Sequence, residues 1–511
     1  MLKKIFICLL FLAGMLNAVA QNISARIIDA NTSENLSHAS IVINDTENLV
    51  SNEDGYFTIS DKYTDDALLS ISFLGYKSVL VTLTELKKSN YIVKLRPGSF
   101  ELETVYVSNM AMSVDSIMAN VKRNLPKNYR WDNKANSKKI FYREGLAFKP
   151  INLKAEMTSA EGYTKKQLTD ANTELKAFTN ELISHPPQEF TDMLCNYYMA
   201  SKMHKEKLHP VTKFNVIKAT QLKDRSRGVD LNEMEKMASG ILFKHLDPHK
   251  YYRIKSGLLG TRDTVIANGA FYESKKYRVN TIQEDAVKKK LNLAKNKVTS
   301  FVNESNLQST KFDFITLQEL YDYSFAGKTQ SENNTSVYII KFSPKKRKGK
   351  YTGTLYVSEK DYAVLRADYT LGEGKKLGGV NLKFLLGVKQ SENLSRGTLI
   401  FKEKKSGEGY NLQYGSVTTG QYVYVNRPLK FLEIAEDDKH YVAFDLKVEA
   451  NVEEKEEYFM MSQEDITEAD FDKVTDSDFE YVQLSSYNPA IWKEYGGIEP
   501  MEEMKKFKTI E

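Results

Sequence analysis

The sequence predicts an α+β protein that is mostly β: an N-terminal seven-stranded antiparallel β-sandwich followed by a large antiparallel curved sheet with a helical insertion. Three observations predict it. Between residues 22 and 107, seven short β-rich runs recur between clusters of Asn, Asp, Gly and Ser, the spacing of a sandwich. Between about 335 and 450, apolar and polar residues alternate strictly, as in strands with one dry and one wet face. Between these two regions, from about 165 to 250, the pattern turns helical.

The elements follow in chain order. Lys3 and Lys4, the apolar run Ile5 to Leu16, and the small residues Ala18-Val19-Ala20 predict a secretory signal peptide over 1–20, with a mature start near Gln21. The apolar run is shorter than the ~20 residues of a membrane span. Losing Lys3 and Lys4 lowers the formal charge from +5 to +3, so nothing favours a nucleic-acid partner. Cys8 lies in the leader and leaves Cys195 alone, so an exported chain has no internal disulfide. No later segment is apolar enough to span a bilayer as a helix, and an end at "KKFKTIE" lacks the terminal aromatic residue of an outer-membrane barrel.

The sandwich, over 21–98, is read from "ISARIID" (23–29), "ASIVIND" (39–45), "GYFTIS" (55–60), "LLSISFLG" (68–75), "YKSVLVTLT" (76–84), "YIVKLR" (91–96) and "TVYVS" (104–108). The stretch "SNEDGYFTIS" (51–60) resembles half of a calcium loop: with Gly55 at the sixth position, Asp54 and Asn52 stand at the fifth and third. Val50 falls at the first position and supplies no oxygen, so Asp54-Gly55 predicts a turn between two strands. The pair "SNEDGYFTI" and "ISFLGYKS" resembles the carboxypeptidase-regulatory-like domain, a transthyretin-like sandwich, over about 22–98. The resemblance implies an envelope protein of a Gram-negative bacterium. It implies no peptidase chemistry, and none of the seven histidines has Glu three residues on, as a His-x-x-Glu zinc pair requires.

Residues 99–137 read as a linker and an amphipathic helix, with Ser113 as cap, Val114, Ile117, Val121 and Leu125 as stripe, and Pro126 as terminator. An α+β domain follows over 138–460. Its insertion reads as "KKQLTDANTELKAFTNELI", "TDMLCNYYMASKMHKEKL" and "DLNEMEKMASGILFKHL", all helical, and 284–304 reads as a further helix with a solvated face. "NLPKNY" with "FYRE" resembles a motif set of envelope proteins that carry the same regulatory-like domain. In the meander, Val380, Leu382, Phe384, Leu386 and Val388 fall on one face with Asn381 and Lys383 on the other, Val442, Phe444, Leu446 and Val448 alternate with Asp445, Lys447 and Glu449, and Ala363, Leu365, Ala367 and Tyr369 alternate with Arg366 and Asp368. The segment "GTLYVSEKDYAVLRADY" resembles the strand pairs of outer-membrane lipoprotein-carrier folds. That resemblance implies an apolar ligand face made of Val380, Leu382, Phe384, Leu386, Val442, Phe444 and Leu446. The tail, 461–511, predicts docking on the body through Trp492 and its tyrosines.

Candidates for chemistry are few. His245, Asp247 and His249 share one face of a regular strand and suit zinc, but Pro248 favours a turn. His185, His204 and His209 are scattered on polar segments. Ser343 and Lys346 have the S-x-x-K spacing without its companion motifs, so "FSPKKRKGKYTG" predicts a basic hairpin able to meet anionic lipid heads or an acidic partner. "AGKT" (326–329) lacks the first glycine of a phosphate loop. No catalytic set, cofactor or metal site is assigned. The expectation is an exported, non-catalytic, periplasmic or outer-membrane-associated binding module with an envelope protein partner. Carriage of a lipid or apolar ligand is the alternative, and a hydrolase the third reading.

Overall fold

A computed structural model describes residues 23–98, 112–130, 134–224, 246–247, 249–256, 259–266, 270–271, 286–332, 335–434, 440–492 and 494–508. The chain divides into two compact units, Met1–Gly98 with Tyr487–Lys505, and Ser99–Ser486 with Lys506–Glu511. The leader over 1–20 and the strand expected at 104–108 lie outside the described residues.

The first unit holds β1 (Ile23–Asp29), β2 (Ser40–Ile43), β3 (Glu47–Val50), β4 (Tyr56–Ile59), β5 (Leu68–Ser72), β6 (Val79–Thr82), α1 (Leu83–Lys88) and β7 (Ile92–Leu95). They form two sheets, ordered β4-β1-β7 and β3-β2-β5-β6. Alternate residues such as Ile27, Ile41, Phe57, Leu69, Ile71 and Leu95 are fully buried in one apolar cluster, which makes the sandwich. Three details correct the sequence reading. The pair β1–β7 is parallel, not antiparallel. An additional strand, β3, occupies "ENLV". The strand expected over 76–84 stops at Thr82, whose side chain opens α1 in a capping box with Glu85. That Thr-x-x-Glu signature is written in the sequence.

The turn reading of "SNEDGYFTIS" holds. Asn52 is buried, and its Oδ1 accepts from the amides of Asp54 and Tyr56, both at 2.9 Å. Gly55 sits at φ +76°, where a Cβ would meet the Ile27 carbonyl oxygen at 2.7 Å. Both the left-handed backbone and the space demand glycine.

The second unit runs α2 (Val114–Asn128), β8 (Asn136–Ala160), α3 (Lys165–Ser184), β9 (Gln188–His204), β10 (Lys207–Lys223), β11 (Tyr251–Ser256), β12 (Leu259–Ile266), β13 (Ala270–Phe271), α4 (Ala286–Glu304), α5 (Asp313–Thr316) and β14 (Tyr321–Gln330). It continues through β15 (Ser336–Pro344), β16 (Tyr351–Ser358), β17 (Val364–Leu371), β18 (Gly379–Leu382), α6 (Lys383–Leu386), β19 (Val388–Glu403), β20 (Tyr410–Glu433), β21 (Tyr441–Asp465), α7 (Glu468–Lys473) and β22 (Val482–Leu484). Among the described residues fifteen strands join one sheet, with the path β14-β15-β16-β17-β19-β20-β21-β8-β9-β10-β22. Its neighbours pair antiparallel except β10 with β22. The expected meander is present.

The helical reading of 191–208 is corrected: that stretch is β9 and the start of β10, so among the described residues the insertion is the helix α3 followed by a long hairpin. The physical reason is burial on both faces. β9 lies between β8 and β10, and Met193, Leu194 and Cys195 are consecutive and buried. A strand dry on both sides loses its alternation, and its Met, Leu and Ala residues then read as helix formers. The third insertion helix, 230–246, lies outside the described residues apart from Leu246. The strand expected over 380–388 is also corrected. It breaks after Leu382 into the single turn α6, and Gly387 at φ +64° reverses the chain into β19. A Cβ there would stand 2.1 Å from the Asn426 carbonyl oxygen, so glycine is required. Pro126 does not end α2, which runs to Asn128. Proline forfeits one helical hydrogen bond. The turn around it is held by buried Leu125 and Tyr129, with the Tyr129 hydroxyl donating to the Val364 carbonyl at 2.8 Å.

One face of the sheet is covered by helices. Ile117, Met118 and Val121 of α2, Val298 and Phe301 of α4, Phe312 just before α5 and Phe314 within it pack on Ile140, Tyr197, Leu355, Leu399 and Tyr458. Phe314 stacks on Phe342 at 4.3 Å and Phe301 on Tyr458 at 5.7 Å. Each such buried side chain contributes roughly 1.5–3 kcal/mol of transfer free energy.

Candidate functional site

The residues proposed from sequence separate in the structure. His245 lies outside the described residues. Asp247 uses its carboxylate to accept from the His249 amide at 2.9 Å, a turn contact, and both side chains are exposed. Among the described residues no group of His, Cys, Asp or Glu has metal-binding geometry. His185, His204 and His209 are exposed. Hairpin register brings the His204 and His209 rings to 5.9 Å, with no third ligand among the described residues.

The apolar ligand face divides in two. Val442 and Phe444 are buried, and half-buried Leu446 packs beside them, against Met157, Phe431 and Leu175 of α3. Val380, Leu382, Phe384 and Leu386 are not in that cluster, a correction that follows from the break at α6. Phe384 is 99% exposed, Leu385 74% and Val380 54%.

Two polar groups escaped the sequence reading. The first crosses three strands. Arg143 on β8, 2% exposed, donates from Nε to Asp192 Oδ1 at 2.6 Å and from its terminal nitrogen to Oδ2 at 2.9 Å. Glu457 on β21 lies 3.7 Å from the same guanidinium and accepts from the Tyr414 hydroxyl at 3.0 Å. Burial pushes the Glu457 carboxyl up, but Lys455 and Arg143 outweigh it and hold the group below its ordinary range. This is a buried ion network, bidentate at its centre between Arg143 and Asp192, while Glu457 Oε2 has no hydrogen-bond partner among the described residues.

The second is a carboxylate cluster. Glu456 on β21 stands opposite Glu144 on β8, with Glu454 two residues away on the same face. Lys297 of α4 pairs with Glu144, and the Tyr142 hydroxyl donates to Glu456. Burial, then the neighbouring carboxylates, push Glu454 up to about 7, and burial also raises Glu456. The cluster therefore holds a proton near neutrality. General acid–base chemistry also needs a reacting group within hydrogen-bond reach. Tyr142 and Lys297, which stand there, are already engaged with these carboxylates. Sequence spacing could not reveal the set, because Glu454 and Glu456 lie 310 and 312 residues from Glu144.

A third feature is a surface. The basic hairpin between β15 and β16 forms as expected, and the β17–β18 connection packs on it. Lys350 Nζ donates to the Lys376 carbonyl at 2.6 Å, Lys375 Nζ to the Arg347 carbonyl at 3.1 Å, and the Gly372 amide to the Lys350 carbonyl at 2.8 Å. The sequence shows the first loop as basic, but gives no sign that Lys375 and Lys376 join it.

Residues 23–107 match the family model of the CarboxypepD_reg-like domain. No curated protein matches the chain. Among solved structures, the chain is similar to a DUF1329 family protein from Desulfovibrio piger ATCC 29098, at 9% identity over 65% of this chain and 90% of that one, with a TM-score of 0.16. It is similar also to the Pseudomonas aeruginosa MucA/MucB complex, at 7% identity over 65% of this chain and 94% of that one, with a TM-score of 0.15. Likenesses at those scores carry no argument about the fold. The N-terminal sandwich is similar in sequence to CarboxypepD_reg-like domains, and that match ends at residue 107.

Proposed function

We propose that the protein is an exported, non-catalytic envelope protein that acts as a binding module, with the N-terminal sandwich engaging a protein partner by strand addition. The observation that carries this reading is the edge of the second sheet. Strand β6, "VLVT", pairs with β5 and with no other strand among the described residues, and Leu80 on it is 62% exposed. Soluble sheets guard such edges with charge or proline, because open amides and carbonyls recruit another strand. This edge carries neither, and strand addition is an established mode of peptide capture. Export is supported by the leader pattern over 1–20, and envelope residence by the likeness to CarboxypepD_reg-like domains. The non-catalytic reading is supported by the way Arg143 and Asp192 engage each other through a buried bidentate pair. Among the described residues no helix is long and apolar enough to cross a membrane. The alternative, carriage of a lipid within the sheet, has less support, because Val442 and Phe444 are packed against α3.

A photo-crosslinking residue at position 80 of the full chain, irradiated in envelope extract, tests the reading. The expected result is one defined protein adduct, lost when exposed Ser78, just before β6, is replaced by Lys to charge the same edge. No adduct, or turnover of a substrate abolished by a single polar substitution, overturns it.

A further inference from the structure

We propose that the loop edge made by residues 345–350 and 372–386 docks on an anionic lipid bilayer, with Phe384 and Leu385 entering the boundary between headgroups and acyl chains. Three observations meet there. First, the edge is strongly basic. The two loops are clamped by backbone-directed lysine contacts, which leaves Lys346, Arg347, Lys348 and Lys376 exposed, without an acidic partner among the described residues. Lys345 is the member with a partner, Asp322 at 3.3 Å. The acids nearby are Asp322, Glu373 and Glu392, the last beside Gly378, so positive charge dominates.

Second, β18 and the turn α6, which follow that connection, present bare hydrocarbon. Phe384 at 99% and Leu385 at 74% exposure stand with Val380 at 54%. They are held by a closed turn: α6 ends on Gly387, whose amide donates to the Lys383 carbonyl at 3.1 Å and whose carbonyl accepts from the Asn426 amide at 2.8 Å. Third, the flank pairs lysines with tyrosine rings. Lys383 Nζ lies 4.0 Å above the Tyr424 ring and Lys389 Nζ 5.1 Å above that of Tyr422. Amphipathic rings and snorkelling lysines are the residues that settle at a membrane–water interface.

An acidic protein would neutralise the loops but has no need of the projecting phenyl ring. A bilayer uses both, phosphates for the cations and the acyl boundary for Phe384. Each basic group near an anionic surface adds roughly fivefold to affinity. The inference does not rest on the strand-addition reading, which concerns the other unit.

The test is co-sedimentation of the full chain with vesicles of phosphatidylethanolamine and phosphatidylglycerol, against phosphatidylcholine alone. The expected result is binding to the anionic vesicles only, reduced at least tenfold by the triple variant Lys346→Glu/Arg347→Glu/Lys348→Glu and severalfold by Phe384→Ser/Leu385→Ser. In addition, Phe384→Trp emission shifts to the blue with anionic vesicles. Equal binding to both vesicle types, no binding, or an unshifted emission with bound vesicles overturns the proposal. So does a Phe384→Ser/Leu385→Ser variant that changes only self-association or capture of an acidic protein. Circular dichroism melts of each variant confirm that the fold is kept.

Discussion

Charge is handled in opposite ways in two regions of the second unit. At the centre of the sheet, Arg143 and Glu457 are almost wholly dehydrated, and each meets partners from other strands. At the loop edge, Lys346, Arg347 and Lys348 follow one another in water. Burial forces compensation, so central charges are spent on holding β8, β9 and β21 in register. Exposure forces nothing, so a run of like charge there costs the fold little and stays available to a ligand. Charges at the centre therefore report on architecture, and charges at the edge report on binding.

The sharpest way to break this contrast is to remove the central cation. Arg143→Met leaves Asp192 and Glu457 buried without it, and the expected loss is about 3–5 kcal/mol of unfolding free energy. Adding Asp192→Leu restores part of it, since a buried apolar pair replaces an orphaned charge. Chemical denaturation of the variants measures both. A loss under about 1 kcal/mol for Arg143→Met would place the network among the dispensable surface pairs.

The carboxylate cluster is an intermediate case, with like charges crowded and only half compensated. Glu454 has an ordinary value of 4.5 and is pushed up to about 7. The folded chain thus binds its proton more tightly than the unfolded chain. Stability falls as pH rises through that window, and the full cost is present above it. Glu454→Gln removes the cost. It is expected to stabilise by on the order of 2 kcal/mol at pH 8 and to change little at pH 4. A gain of equal size at both pH values would show that packing, not ionisation, is responsible.

The same contrast explains what the sequence could and could not reveal. Local chemistry was legible: Asp54-Gly55 as a turn, Ser113 as a cap, "KKRKGK" as a basic hairpin. Strands with one wet face were legible as well, because solvent writes the alternation. Buried features were not. β9 is dry on both sides and reads as a helix. Residues 380–388 alternate correctly for a strand that the required reversal at Gly387 does not allow. Arg143, Asp192 and Glu457 look ordinary singly, and only register across β8, β9 and β21 joins them. Long-range pairing has no periodic signature, so the polar clusters could be found only in three dimensions.

The smallest expected effect tests the other end of the contrast. Phe384 is nearly as exposed as in an isolated chain, so Phe384→Ser removes almost no folded-state contact. The unfolding free energy should change by less than about 0.5 kcal/mol, whereas a buried phenylalanine such as Phe314 would cost about 3–5 kcal/mol on truncation to alanine. The turn beneath the ring is closed by backbone hydrogen bonds from Gly387 and Asn426, and these survive the substitution. A thermal melt of Phe384→Ser that falls well below the parent would mean that the ring is part of the packed body. In that event the apolar edge would owe its composition to folding, as the centre of the sheet does.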